Sequence, residues 1–181
     1  PLILTCGPGS HFFNKLLEKY NVKSRVVKTL TFDDWNSYDN GHVLLEVFSE
    51  KMDKWFLYDI DGQKVFKKNG NRLSLIEIQS FSMEEIEIKS ISNQPNIDYG
   101  SFNKYSSIME DINFNPKKWY KRVFQKFSIF DQKSKKYKFF TDYDNVSIKN
   151  RKESEEDCKI IKKYNENHLC LSYELFIEKF Y

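Results

Sequence analysis

Cys6, His42 and Asp59 follow one another along the chain, each in local surroundings that suit one member of a thiol-based catalytic triad. A thiol attacks as its thiolate, an imidazole takes the proton, and a carboxylate orients the ring. Together such groups carry out covalent acyl transfer. Cys6 opens CGPGSHFFNKLLEKY, in which Phe13, Leu16, Leu17 and Tyr20 recur at helical intervals, so the segment predicts an amphipathic helix with that stripe facing a core. Pro8 suits a first helical turn, and Gly7 and Gly9 let backbone amides approach a bound group closely. Unpaired N–H groups at a helix start favour a thiolate placed beside them. The backbone N–H groups of Cys6 and Gly7 are therefore the candidate oxyanion donors.

The other two residues require a sheet. His42 opens the strand-like HVLLEVF and Asp59 lies near the end of the strand-like KWFLYDID, with the polar stretch Ser49–Asp53 between them as a tight hairpin connection. A turn centred between Glu50 and Lys51 pairs Glu46 with Trp55, Leu44 with Leu57, and His42 with Asp59. Directly opposed side chains start about 5 Å apart, within reach of an imidazole–carboxylate contact. The reverse face, Val43, Leu45, Val47, Phe56 and Tyr58, is apolar and is expected to receive the Cys6 helix. Ser24–Phe32 reads as a further strand and Asp33–Gly41 as a polar loop. Ser74–Gln79 and Glu85–Ser90 read as two more strands of the same antiparallel sheet.

After Ser92-Asn93-Gln94-Pro95 the chain becomes rich in lysine and aromatics, which places a soft boundary near residue 95. Phe102–Ile112 and Pro116–Phe127 predict helices, Tyr137–Tyr143 a strand, Glu153–Asn167 a solvated polar stretch, and Ser172 the cap of a terminal helix with Leu175, Phe176 and Phe180. The expected class is α+β, with an N-terminal helix packed on an antiparallel sheet in residues 1–95. A helix and strand extension, 96–181, packs back on it rather than standing alone.

Composition narrows the function. The 181 residues are 40% hydrophobic with 16 Phe and 11 Tyr, enough for a core, and Lys+Arg 29 against Asp+Glu 26 leaves +3, too small an excess to predict a polyanionic partner. No long apolar run and no leader-like start is visible, so a cytoplasmic protein without membrane association is expected. Three cysteines, Cys6, Cys158 and Cys170, form an odd set without CxxC spacing, which argues against a disulfide framework or a zinc site and for a reducing compartment. Cys158 and Cys170 read as structural or incidental. His11, His42 and His168 are too few for a His-rich metal centre, so neither metal nor cofactor is expected.

These residues resemble the bacterial transglutaminase-like family, thiol enzymes of papain-like architecture whose motifs run Cys at a helix start, then GIPAR-V-V, then HVW-EV, then W--VDP. Here Cys6 is followed by NVKSRVV with Arg25, by Gly41-His42-Val43 with Glu46-Val47, and by Lys54-Trp55 with Asp59. Val22-Lys23-Ser24 stands in place of Ile-Pro-Ala, Leu44 in place of an aromatic, and Ile60-Asp61-Gly62 in place of Pro-Thr. The likeness covers residues 1–65. Trp119 to Phe124 and Phe176 to Tyr181 are similar to the tail of transglutaminase-like proteins found alongside bacterial surface-polysaccharide genes. The resemblance implies a papain-like core, a Cys6-His42-Asp59 triad, and hydrolysis or acyl transfer at an amide bond of a peptide, amide-bearing or glycan-linked substrate. It also implies an upstream helix and a side-chain oxyanion donor that Pro1–Thr5 do not supply.

Other readings compete. Cys6 alone would be a small buried hydrophobe, His42 a satisfied strand histidine and Asp59 a turn residue. A catalytically inactive transglutaminase-like module binding a peptide or glycan fits the same motifs. Lys117, Lys118, Trp119, Tyr120, Lys121, Arg122 and Lys126 interleave basic groups with aromatics as a nucleic-acid surface would, although at helical spacing those aromatics read as a core stripe. Asp61 is a second candidate for the orienting carboxylate, Arg25 reads as a packing or ion-pair residue, and His11 as a helix-surface or pocket residue.

Overall fold

A computed structural model describes residues 5–30, 41–91, 116–124, 126–131, 133–134, 136–140, 159, 168–171 and 173–181. Helix α1 (Cys6–Lys19) leads into β1 (Ser24–Leu30), β2 (Gly41–Ser49), β3 (Lys54–Asp59), β4 (Lys64–Lys68) and β5 (Asn71–Arg72). Next come α2 (Leu75–Ile78), a 3-10 turn (Met83–Glu85) and β6 (Glu87–Ser90). The described part of the extension consists of α3 (Pro116–Val123), β7 (Lys126–Asp131), β8 (Lys136–Phe140), β9 (His168–Leu171) and α4 (Tyr173–Phe180). Among the described residues the architecture is α+β. One sheet runs β5-β4-β3-β2-β1-β7-β8-β9 with β6 also on β4, antiparallel throughout except for β8 with β9.

Alternation along β1 to β4 sends Val27, Leu44, Leu57 and Phe66 to one face. There they meet Leu75 and Ile78 of α2, Tyr120 of α3 with Phe124 just after it, Phe127 and Ile129 of β7, and Phe176 of α4. Full burial of each such side chain is worth about 1.5–3 kcal/mol, so this layer holds the fold together. Because β1 pairs with β2 on one side and β7 on the other, the described extension strands continue the sheet of the N-terminal part.

The reverse face carries α1, and here the structure corrects the expected packing. The helix buries Gly9, Ser10 and Asn14, while Phe12, Phe13, Leu16 and Tyr20 are exposed, Tyr20 by 69%. The period is helical but the buried face is the polar one. Small residues let the helix backbone come close to β2, where the Ser10 hydroxyl donates to the Val43 carbonyl at 3.1 Å. Ser24 of β1 donates to Asn14 Oδ1 at 3.0 Å. A close approach at the Cys6 end outweighs burial of the apolar stripe.

Three further expectations change. Ser74–Gln79 is not a strand: Ser74 and Glu77 form a reciprocal capping box that starts α2. The Pro116–Phe127 helix stops at Val123, and Phe127 belongs to β7. Cys170 is disulfide-bonded, contrary to the expectation of free thiols, while Cys6 is free. The boundary at residue 95, the Phe102–Ile112 helix and Cys158 lie outside the described residues.

Candidate active site

The β2–β3 hairpin decides which side chains meet. Its turn is Glu50–Asp53, with the Met52 amide on the Ser49 carbonyl at 3.2 Å and Asp53 in the left-handed region at φ 47°. The observed register pairs Leu45 with Tyr58 and Phe48 with Trp55, so the expected direct pairing of His42 with Asp59 is displaced by two residues. A two-residue shift keeps every side chain on its face. Continuing that register puts Asp59 beside Leu44, diagonal to His42 and still within side-chain reach.

His42 Nε2 lies 2.9 Å from Asp59 Oδ2, an ion-pair contact although the N–H points off the hydrogen-bond axis. The Cys6 thiol and the His42 imidazole also act on one another, each favouring the other's charged form. The His42 backbone is fixed by Thr29, whose hydroxyl accepts from the His42 N–H and donates to its carbonyl, both at 3.2 Å. Asp59 Oδ1 accepts the Gly62 N–H at 2.8 Å, and Oδ2 accepts the Tyr120 hydroxyl at 2.5 Å. His42 and Asp59 are buried and Cys6 is half-buried, so the thiol is the member open to an incoming group. Cys6 and Gly7 occupy the first two positions of α1, where their N–H groups have no acceptor within the helix.

The electrostatics follow from this packing. Burial works to raise the Cys6 pKa, but the His42 hydrogen bond and charge and a backbone bond with Val43 outweigh it, against repulsion from Asp61, and the net direction is down. Burial alone would lower His42; the Asp59 carboxylate and the Cys6 sulfur instead raise it to about 10. Asp59 is held below the ordinary carboxylate range because His42, Tyr120 and Gly62 outweigh its desolvation. Asp61 goes up, from burial and then from the Asp59 charge. The two shifts favour the same charged pair, a thiolate beside an imidazolium.

Cys6, His42 and Asp59 thus come together, and Asp59, not Asp61, contacts the ring nitrogen. His11 is half-buried, with its ring edge-on to Phe130 at 5.9 Å. Sequence reasoning missed Gly62, Thr29, Trp119 and Tyr120 as supports of the site. Trp119 is edge-on to His42 at 4.8 Å, and Tyr120 reaches Asp59 from 61 residues away, so no local pattern could have revealed either. Tyr120 is buried in the core and Trp119 is packed against it, as the helical spacing of these aromatics predicts.

The other motif residues form a separate cluster. Glu46 is fully buried and accepts from Arg25 Nε at 2.8 Å, the Leu75 N–H at 2.7 Å and the Tyr181 hydroxyl at 3.0 Å. Arg25 Nη2 stands 2.7 Å from Glu46 Oε2, and Arg25 Nη1 donates to the Phe180 carbonyl. The guanidinium lies 3.8 Å from the centre of the Trp55 ring and 4.3 Å from that of Tyr181.

No protein-family model, curated protein or solved structure matches the chain. Among the described residues no group of three or more His, Cys, Asp or Glu side chains is arranged to hold a metal ion, and no helix is long and apolar enough to cross a membrane.

Proposed function

We propose that the protein is a thiol-dependent acyl hydrolase or acyl transferase with a papain-like, transglutaminase-like core, acting on an amide bond through Cys6, His42 and Asp59. One observation carries this reading: a buried imidazole contacts a buried carboxylate at 2.9 Å, and the half-exposed thiol at a helix start interacts with that imidazole so that each favours the other's charged form. The Cys6 thiolate attacks the amide carbonyl, and the first-turn N–H groups of Cys6 and Gly7 stabilise the oxyanion. The C–N bond then breaks, the leaving amine takes the proton from the His42 imidazolium, and a thioester remains on Cys6. Water or an amine attacks the thioester while His42 accepts its proton, giving an acid or a new amide and restoring the thiol. Asp59 keeps the ring in place for both transfers. A peptide, an amide-bearing group or a glycan-linked amide suits this chemistry.

The pH dependence has a definite sign. Activity rises as pH passes the lowered Cys6 pKa and falls as pH passes about 10, where His42 loses the proton the leaving amine needs. The test is reaction of the native chain with p-nitrophenyl acetate and with iodoacetamide near neutral pH. The wild type is expected to give a burst of nitrophenol with acetyl on Cys6. Cys6→Ala removes both labels, and His42→Ala raises the apparent pKa of alkylation. Native Cys6 reacting no faster than it does in denatured chain overturns the reading.

A further inference from the structure

We propose that Tyr120 is a positioning residue whose hydroxyl holds Asp59 in place for His42, which makes α3 part of the thiol site. The inference rests on reading Cys6, His42 and Asp59 as a catalytic unit. A carboxylate turns easily about its last bond, so its orientation is fixed only when both oxygens are held. The Gly62 N–H holds Oδ1 at 2.8 Å, and the Tyr120 hydroxyl holds Oδ2 at 2.5 Å, the same oxygen that faces His42. Without the phenol, Oδ2 has only the ring it is supposed to orient.

Tyr120 is itself immobilised. It is 3% exposed, edge-on to Phe66 at 4.8 Å and to Trp119 at 4.8 Å, while Trp119 is edge-on to His42. Neighbouring residues of one helix thus touch both halves of the imidazole–carboxylate pair. Burial first, and then the Asp59 charge, push the Tyr120 phenol far above its ordinary range, so it remains a donor at every pH at which the site works. Titratable groups around Asp59 are His42 from β2, Cys6 from α1, Asp61 from the following turn and Tyr120 from α3. Lys64, its partner on β4, donates instead to Ser90 Oγ at 3.0 Å. A hydrogen bond donated to a carboxylate favours its charged form, so loss of the hydroxyl makes Asp59 easier to protonate.

Tyr120→Phe keeps the ring and deletes the donor. The measurement is the pH profile of Cys6 alkylation by iodoacetamide in the full chain, read by mass spectrometry of the Cys6 peptide. The acid limb is expected to move up by about one pH unit, so the rate at a fixed pH below the wild-type midpoint falls ~10-fold, the factor that accompanies one unit. Phe124→Leu serves as the structural control, because the Phe124 ring packs on that of Tyr120, 5.3 Å between centres, and has no group that can donate a hydrogen bond to Asp59. It should lower the thermal midpoint and leave the profile in place. Superimposable profiles for wild type and Tyr120→Phe, or an equal shift in Phe124→Leu, overturn the proposal while an activated wild-type Cys6 keeps the triad reading. A wild type without activation overturns both. If Tyr120→Phe does not fold, the wild type still decides: a downfield, slowly exchanging Tyr120 hydroxyl proton supports the contact and its absence overturns it.

Discussion

The space around Asp59 has no room for another carbon atom. A Cβ added at Gly62 would stand 2.7 Å from Asp59 Oδ2, 3.1 Å from its Cγ and 3.2 Å from the Tyr120 hydroxyl. A flexible side-chain end could yield at small cost, but this carboxylate is 1% exposed and bonded on both oxygens. Gly62→Ala is therefore expected to turn Asp59 away from His42 before it unfolds anything, and the thiol should lose activation by ~10-fold or more, since one unit of pKa is a factor of ten. Alkylation rate on the acid limb of the pH profile, beside the circular-dichroism melt, checks this, and an unchanged limb would show that the carboxylate has slack. Cys6, His42 and Asp59 were legible because a Gly-Pro-Gly helix start and two polar residues on apolar strands are visible locally. Gly62 and Tyr120 were not, because their roles depend on a contact across the fold.

At the scale of elements, β1, β2 and β3 carry two clusters on the same sheet face, with the thiol site at the Thr29–His42–Asp59 end and Arg25, Glu46 and Trp55 toward the hairpin turn. Parity along the strands was readable from alternation, and it survived a register error because the error was two residues. What failed was the turn, whose four residues Glu50–Asp53 include a non-glycine at positive φ. The Arg25–Glu46 pair is a structural element, and its loss has a different signature from damage to the triad. Glu46→Ala leaves a largely buried guanidinium with its carboxylate gone and frees the Leu75 N–H and Tyr181 hydroxyl, so stability should drop by about 3–5 kcal/mol. Urea denaturation measures the drop, and the fraction still folded should keep the wild-type alkylation profile. A small change in midpoint would mean that solvent reaches Arg25 more freely than its packing on Trp55 and Tyr181 suggests. The α1 face was misread for a related reason: the helix is positioned by Ser10 and Asn14 contacts that outweigh its hydrophobic stripe.

For the whole molecule, the sheet ties the site to the extension, since β7 continues β1 and α3 closes over His42 and Asp59. The extension's far strands carry the one feature that composition argued against. Cys170 lies on β9 and is disulfide-bonded, while Cys6 is free. An odd cysteine count excludes a fully paired framework but is compatible with one bridge and one spare thiol, and the spare thiol here is the one beside His42. A bridge persists where the surroundings are oxidising, so it argues against the reducing compartment expected from the cysteine count. It also restricts the unfolded chain and so favours the folded state. The measurement is a thiol count with Ellman's reagent on denatured protein purified without reductant. One thiol per chain is expected before reduction and three after it, the number of cysteines in the sequence. Three thiols before reduction would remove the bridge, return the protein to a reducing setting, and leave Cys6 distinguished only by its helix start and its imidazole.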